Sequence, residues 1–112
     1  MRIGFKSFHW LSPEGNPAGG CTTGTGFTIS WQNGPLGRID TPERVGPNGA
    51  FVEDVLEAVL DRIKFYQTGS GGRFACVENA EAIDHIERAL LELDKRTKRR
   101  VNAGTEGTHE GR

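Results

Sequence analysis

The chain lacks any run of apolar residues long enough to cross a membrane, and its opening residues 1–15 lack the apolar centre of a secretion signal. Those two absences predict a protein of the cytoplasm with no membrane partner. Cysteine is scarce. Cys21 and Cys76 form no CxxC pair and have no histidine at ligand spacing, which predicts two isolated thiols, dispensable for binding, in a reducing compartment. Neither charge sign is in excess: 14 Lys and Arg against 15 Asp and Glu leave a net −1, so no global basic field draws the chain to nucleic acid. The catalytic inventory is thin. His9, His85 and His109 are scattered, no Ser or Cys has the context of a nucleophile, and no metal-ligand cluster occurs. Gly24-Thr25-Gly26 is followed by no Gly-Lys-Ser/Thr and opens no helix, so it is neither a P-loop nor a dinucleotide fingerprint. The expectation is a binding protein without catalytic residues, metal or cofactor.

Glycine is abundant instead, with sixteen residues concentrated before residue 50 and in one later loop. The length of 112 residues fits a single domain. A domain so small buries little, so a large apolar face on it is expected to be shared with another copy. Residues 1–47 read as a β-sheet region. Residues 2–11 alternate, with Ile3, Phe5, Phe8 and Trp10 apolar, and the alternation slips at Ser7-Phe8, where a bulge fits. Residues 12–22 read as a Pro/Gly loop. Residues 25–32 read as a second strand with Phe27, Ile29 and Trp31 on one face, and Gly24 and Gly26 permit a sharp turn into it. Asn33-Gly34 then reads as a hairpin turn leading to a short returning strand over 35–39.

Residues 48–101 read as an antiparallel helical hairpin. Asn48 is placed to cap the first helix, whose apolar stripe runs through Phe51, Val52, Val55, Leu56, Val59, Ile63 and Tyr66. The helix stops at Thr68-Gly69-Ser70-Gly71-Gly72. Asn79 is placed to cap the second helix, whose seam is Ile83, Ile86, Leu90 and Leu93. Residues 102–112 read as a mobile polar tail. The fold class is therefore α+β: a small N-terminal antiparallel sheet followed by a two-helix hairpin.

Polar residues with a ligand-like pattern cluster on the second helix. Arg96 and Arg100 are four apart on one face, with Thr97 on the continuation of the seam, an arrangement that can grip a phosphate. The same cations also complement the helix macrodipole without any ligand. The Asn79 amide can read a nucleobase edge or cap its helix. Phe65 and Phe74 can stack on a base or close the hairpin, and Arg38 can add a cation beside the sheet or lie in solvent.

Taken together, Pro47-Asn48-Gly49-Ala50-Phe51, Phe74-Ala75-Cys76-Val77-Glu78-Asn79, Arg96-Thr97-Lys98-Arg99-Arg100 and Glu106-Gly107-Thr108-His109, with residues 26–32 and 34–38, resemble the phage Thoeris anti-defence sponge proteins. Their helical hairpin is similar to that of the anti-CBASS sponges. The resemblance covers most of the chain from about residue 24 onward. It implies a dimer, in some members a hexamer, acting in the host bacterial cytoplasm. It implies reversible sequestration of a cyclic ADP-ribose isomer without cleavage, and in some members of cyclic di- and trinucleotides at separate sites. It implies ligand contacts from Asn79, Arg96, Thr97 and Arg100, base stacking by Phe74 or Phe65, and a contribution from Arg38.

Geometry adds an independent constraint. Asn79 and Arg96 bracket the second helix and lie about 25 Å apart at 1.5 Å rise per residue. One chain cannot bring both to a small ligand, whereas two chains packed antiparallel can. Two other functions stay open on the residues alone. A phosphate-contacting nucleic-acid or regulatory module would use the basic helix end, and a small nucleotide hydrolase would cleave what it binds.

Overall fold

A computed structural model describes residues 1–109. The element order is three strands, β1 (Phe5–Leu11), β2 (Pro17–Gly24) and β3 (Phe27–Trp31), then two helices, α1 (Val52–Thr68) and α2 (Val77–Asn102). The α+β class read from the sequence is the class found. The chain divides into two compact units, one of residues 1–51 with the segment from Arg100 onward, the other of Val52–Arg99.

In the first unit the strands form an antiparallel sheet in the order β1-β2-β3. The middle strand occupies residues read from the sequence as loop. β2 is built from small residues, and its neighbours require that: a Cβ added at Gly20 would sit 2.0 Å from the Phe8 carbonyl oxygen. Register pairs Ser7 with Thr22 and Thr22 with Ile29. The buried Thr22 hydroxyl lies 2.8 Å from the Ser7 hydroxyl and accepts the Trp31 indole N–H at 2.8 Å. This polar bridge fixes the three strands in one register. The irregularity in β1 falls between His9 and Leu11, not at Ser7-Phe8. Phe8 pairs with Cys21 without a slip, so Phe5 and Phe8 occupy opposite faces of the strand.

The hairpin turn between β2 and β3 is Thr25-Gly26, where Gly26 supplies φ of 84°. No returning strand forms over 35–39. Asn33-Gly34 instead opens a loop held from outside. The Asn48 side chain accepts the Asn33 N–H at 2.8 Å and donates to the Asn33 carbonyl at 2.9 Å, and Gln32 Oε1 accepts the N–H groups of Asn48 and Gly49. Asn48 thus ties two loop segments together and does not cap α1, which begins four residues later. The chain then runs parallel to β3 through the Trp31–Ala50 bridge. A Cβ at Gly49 would lie 2.6 Å from the Trp31 carbonyl carbon and oxygen. Gly49→Ala should therefore force backbone apart and cost about 1–3 kcal/mol, read as a lowered urea midpoint at unchanged slope.

In the second unit, α1 carries Glu53 and Asp54 in its first turn, where the helix dipole favours them. It ends at Gly69–Gly72, a 3₁₀ turn interrupted by left-handed Ser70 and Gly71. Gln67 closes the hairpin: its amide accepts the Cys76 N–H at 2.9 Å and donates to the Cys76 carbonyl at 3.1 Å. The cap of α2 is Cys76, whose Sγ accepts the Asn79 N–H at 3.4 Å; Asn79 itself sits inside the first turn. Both cysteines are free thiols. Ile83, Ile86, Leu90 and Leu93 are half-buried along the seam, as are Leu56 and Ile63 of α1. Leu60, at 9 % exposure, is the one buried apolar side chain among the described residues. No described helix is long and apolar enough to cross a membrane.

Residues 103–109, in the segment read as a polar tail, make hydrogen bonds to the chain before them. Past the end of α2 the chain turns back through Thr105 and Glu106 N–H bonds to the Arg100 carbonyl at 2.9 and 3.1 Å. Residues 110–112, the remainder of that predicted tail, lie outside the described residues.

Candidate functional site

The polar residues of α2 divide by whether their side chains are already engaged. Arg96 and Thr97 are exposed, and neither side chain makes a hydrogen bond or ion pair among the described residues. Their neighbour Lys95 is spent on Glu92 at 2.9 Å, and about two turns below Arg88 pairs with Asp84 at 3.0 Å. Asn79, half-buried at the start of the seam, also holds its amide without a partner among the described residues. Asn79, Arg96 and Thr97 therefore offer three donor groups and two acceptors at opposite ends of one helix. They are seventeen residues apart, about 25 Å along the axis, so the fold of one chain does not bring them together.

Arg100 is a different case. It is 8 % exposed, and its Nη2 donates to the carbonyls of Thr105 at 2.9 Å and Thr108 at 2.6 Å. Its fork holds the returning chain end. Arg96 and Arg100 share a helix face in sequence but not an environment: one guanidinium is in solvent, the other is enclosed by carbonyls.

Phe65 and Phe74 flank the connection between the helices and are 52 % and 59 % exposed. Each ring carries a guanidinium that the sequence reading did not single out. Arg62 lies 5.1 Å from the centroids of both Phe65 and Tyr66, and Arg73 lies 5.1 Å from that of Phe74. The i, i+4 spacing of Arg62 and Tyr66 is the signal that could have found the first pair.

Arg38 belongs to the first unit. Its Nη1 donates to the Gly104 carbonyl, and it lines a cleft of about 400 Å³ with Ile39, Asp40, Thr41, Val101, Gly104 and Glu106. That volume lies in the range of small-molecule sites. The wall is braced by Arg44, which grips Glu106 with both terminal nitrogens and donates to the Gly37 carbonyl at 2.9 Å. The Glu106 carboxylate holds the Arg44 guanidinium charged, raising its pKa above the ordinary value. No single-sequence signal joins residues sixty-two apart, so this pair was not legible beforehand. No group of His, Cys, Asp and Glu that could hold a metal occurs among the described residues.

The two-helix hairpin, closed by Gln67 on Cys76, lies largely within the stretch that a known family matches. The family model of the Acb2/Tad1 hairpin domain matches residues 26–98. The chain belongs to the Acb2/Tad1 hairpin family. It is also 40 % identical over 83 residues to Thoeris anti-defense 1 of Bacillus phage SBSphiJ7, a match covering 74 % of this chain and 52 % of that protein. The chain thus spans about half the length of that curated relative. The family match takes in β3, α1 and α2 as far as residue 98, with Asn79, Arg96 and Thr97 but not Arg100. β1 and β2 lie outside it.

Proposed function

We propose that this Acb2/Tad1 hairpin protein is a phage anti-defence protein that captures a cyclic nucleotide signal in the host bacterium and releases it unchanged. The ligand is a cyclic ADP-ribose isomer, or a cyclic di- or trinucleotide. The observation that carries the reading is the uncommitted trio Asn79, Arg96 and Thr97 on a hairpin of this family. A cyclic nucleotide has charged phosphates and a purine edge in one compact molecule. It calls for guanidinium, hydroxyl and amide groups brought within one ligand's width. Two chains packed antiparallel along α2 meet that requirement, with Asn79 of one opposite Arg96 and Thr97 of the other. Phe65 or Phe74 would then stack on the base. Arg38 would act through its own cleft, and Arg100 through the chain end that it holds beside that cleft.

The thin core supports a shared interface. Val52, Val59 and Tyr66 follow one another at intervals of seven on α1, exposed at 50 %, 45 % and 41 %. A heptad column left in water is the pattern of a helix that packs on a second helix. The likeness to Thoeris anti-defense 1 supports the biological role.

The deciding experiment mixes purified protein with a panel of cyclic ADP-ribose isomers and cyclic oligonucleotides, measures binding, then heats the protein and identifies what is released by mass spectrometry. Recovery of intact ligand from one panel member at low micromolar affinity or better is the expected result. A cleaved product would assign a hydrolase, and binding of random duplex DNA alone would assign a nucleic-acid module.

A further inference from the structure

We propose that Gln67 is a positioning residue for ligand capture: by holding both backbone polar groups of Cys76, it sets Phe74 and Asn79 where they meet the ligand. The inference rests on the function proposed above and adds to it a residue that touches no ligand itself.

The segment between the helices has little order of its own. Gly69, Gly71 and Gly72 fall within four residues, and Ser70, Gly71 and Gly72 follow one another at φ of 53°, 67° and 77°. Glycine loses more backbone freedom on ordering than any other residue. A segment of this composition has many paths open to it, and the position of Phe74 depends on which one it takes. Its own hydrogen bonds are short in range: the Arg73 N–H donates to the Ser70 carbonyl at 3.3 Å and the Ala75 N–H to the Gly72 carbonyl at 3.1 Å. These shape the turn without attaching it to α1.

Two side chains of α1 supply the attachment. At the near end Phe65 packs on Gly69, where an added Cβ would lie 3.0 Å from the ring. At the far end stands Gln67, half-buried in the last turn of α1. Its Oε1 accepts the Cys76 N–H at 2.9 Å and its Nε2 donates to the Cys76 carbonyl at 3.1 Å. No other side chain of α1 hydrogen-bonds to residues 73–79 among the described residues. An amide carries a donor and an acceptor side by side, so it can meet both polar groups of one residue. One bond would leave Cys76 free to turn about it; two fix its orientation as well as its place.

That orientation passes on through Cys76. Its carbonyl also accepts the Ala80 N–H at 3.2 Å, the first bond of α2, and its Sγ accepts the Asn79 N–H at 3.4 Å. Turning Cys76 therefore turns the start of α2, and Asn79 with it. Phe74 stands two residues before the clamp, 59 % exposed, with the Arg73 guanidinium 5.1 Å from its centroid. Groups ordered before the ligand arrives spare it the entropy of ordering them. A Gln67 that merely closed the hairpin would change stability and leave affinity alone.

The test uses the full chain and the same panel of cyclic ADP-ribose isomers and cyclic oligonucleotides. Gln67→Ala removes both bonds, which at the usual worth of neutral hydrogen bonds, without full additivity, corresponds to about tenfold. Hydrogen exchange without ligand should show the Cys76, Asn79 and Ala80 amides about tenfold less protected relative to those in the middle of α1. Affinity for the panel member that wild type captures should fall by about the same factor. Ile63→Val is the control: it trims the half-buried seam away from the connection, so the urea midpoint falls and affinity holds. If Gln67→Ala does not fold, Gln67→Glu takes its place. It keeps the shape and the acceptor but turns an oxygen to the Cys76 carbonyl where the donor stood, and the same loss of affinity is expected. Unchanged exchange at Cys76 and Asn79 in Gln67→Ala, or unchanged affinity in a folded variant of Gln67 when wild type binds, overturns the role of Gln67 and leaves the proposed function standing. An equal loss of affinity in Ile63→Val also overturns it, because stability alone would then account for the effect. A wild type that captures no member of the panel overturns the proposed function, and this role with it.

Discussion

Arg96→Ala should weaken capture of the cyclic nucleotide by about ten- to a hundredfold while leaving thermal stability close to wild type. Removing one charge-assisted hydrogen bond costs about 1.5–3 kcal/mol, and each 1.4 kcal/mol is a factor of ten in affinity. The stability half of the expectation follows from the fold. Arg96 is exposed and its guanidinium bonds to nothing among the described residues, so its loss breaks no internal contact. A role confined to the helix macrodipole predicts the reverse: a few tenths of a kcal/mol lost in stability and no change in affinity. Titration calorimetry and urea unfolding on the same preparations separate the two. Repeating the titration at two salt concentrations should show a shallower salt dependence for the variant, since one cation fewer meets phosphate. Unaltered affinity would remove Arg96 from the site and, with it, the shared-interface geometry that joins it to Asn79.

The helices were legible because their signal is periodic and local. Six apolar positions in α1 and four in α2 repeat with helical spacing, and Gly69, Gly71 and Gly72 mark the break between them. The sheet was legible only where it is apolar. β3 has alternating Phe27, Ile29 and Trp31, whereas β2 is Pro-Ala-Gly-Gly-Cys-Thr-Thr-Gly and reads as loop by composition. Its glycines are there because Phe8 of the neighbouring strand passes too close to Gly20 for a Cβ, a tertiary reason that no window of sequence contains. Asn33-Gly34 failed as a hairpin turn for a similar cause. The backbone of Asn33 is taken up by Asn48, fifteen residues on, and Pro35 has no N–H to offer a returning strand.

Helix starts were misplaced by the same rule applied twice. Asn48 and Asn79 are good cap residues by type, but one is occupied by the Asn33 loop and the other lies within α2, where the Cys76 sulfur takes the cap bond. That displacement matters for the site. An Asn79 released from capping keeps its amide for another partner, so the misreading of the helix start and the availability of Asn79 have one origin. Among the candidate residues, chemical type was legible and commitment was not. Arg96 and Arg100 look equivalent at i, i+4, and only the path of the chain after residue 102 distinguishes them.

Arg100→Ala is the sharpest test of that distinction. The substitution removes both charge-assisted bonds from Nη2 to the Thr105 and Thr108 carbonyls. At about 1.5–3 kcal/mol for a bond to a charged donor, and without full additivity, the docked chain end should lose about 3 kcal/mol. That is roughly a hundredfold rise in its opening equilibrium. Opening should be local, because the other holds on the segment from Thr105 to Thr108 lie within its own unit, among them the Arg44–Glu106 pair, the Gly37 N–H bond to the Gly107 carbonyl at 2.7 Å and the Thr105 and Glu106 N–H bonds to the Arg100 backbone. Native-state hydrogen exchange reads it directly. The amides of Gly37, Thr105, Glu106 and Thr108 should lose about two decades of protection, while those along α1 hold theirs. Arg100→Lys keeps the charge on a shorter stem that does not carry a nitrogen to the position of Nη2, and should recover part of the protection. If Arg100 instead contacts a ligand phosphate directly, protection in the free protein is unchanged by either substitution and affinity alone falls. That pattern would mean the chain end yields its hold on Arg100 when ligand arrives.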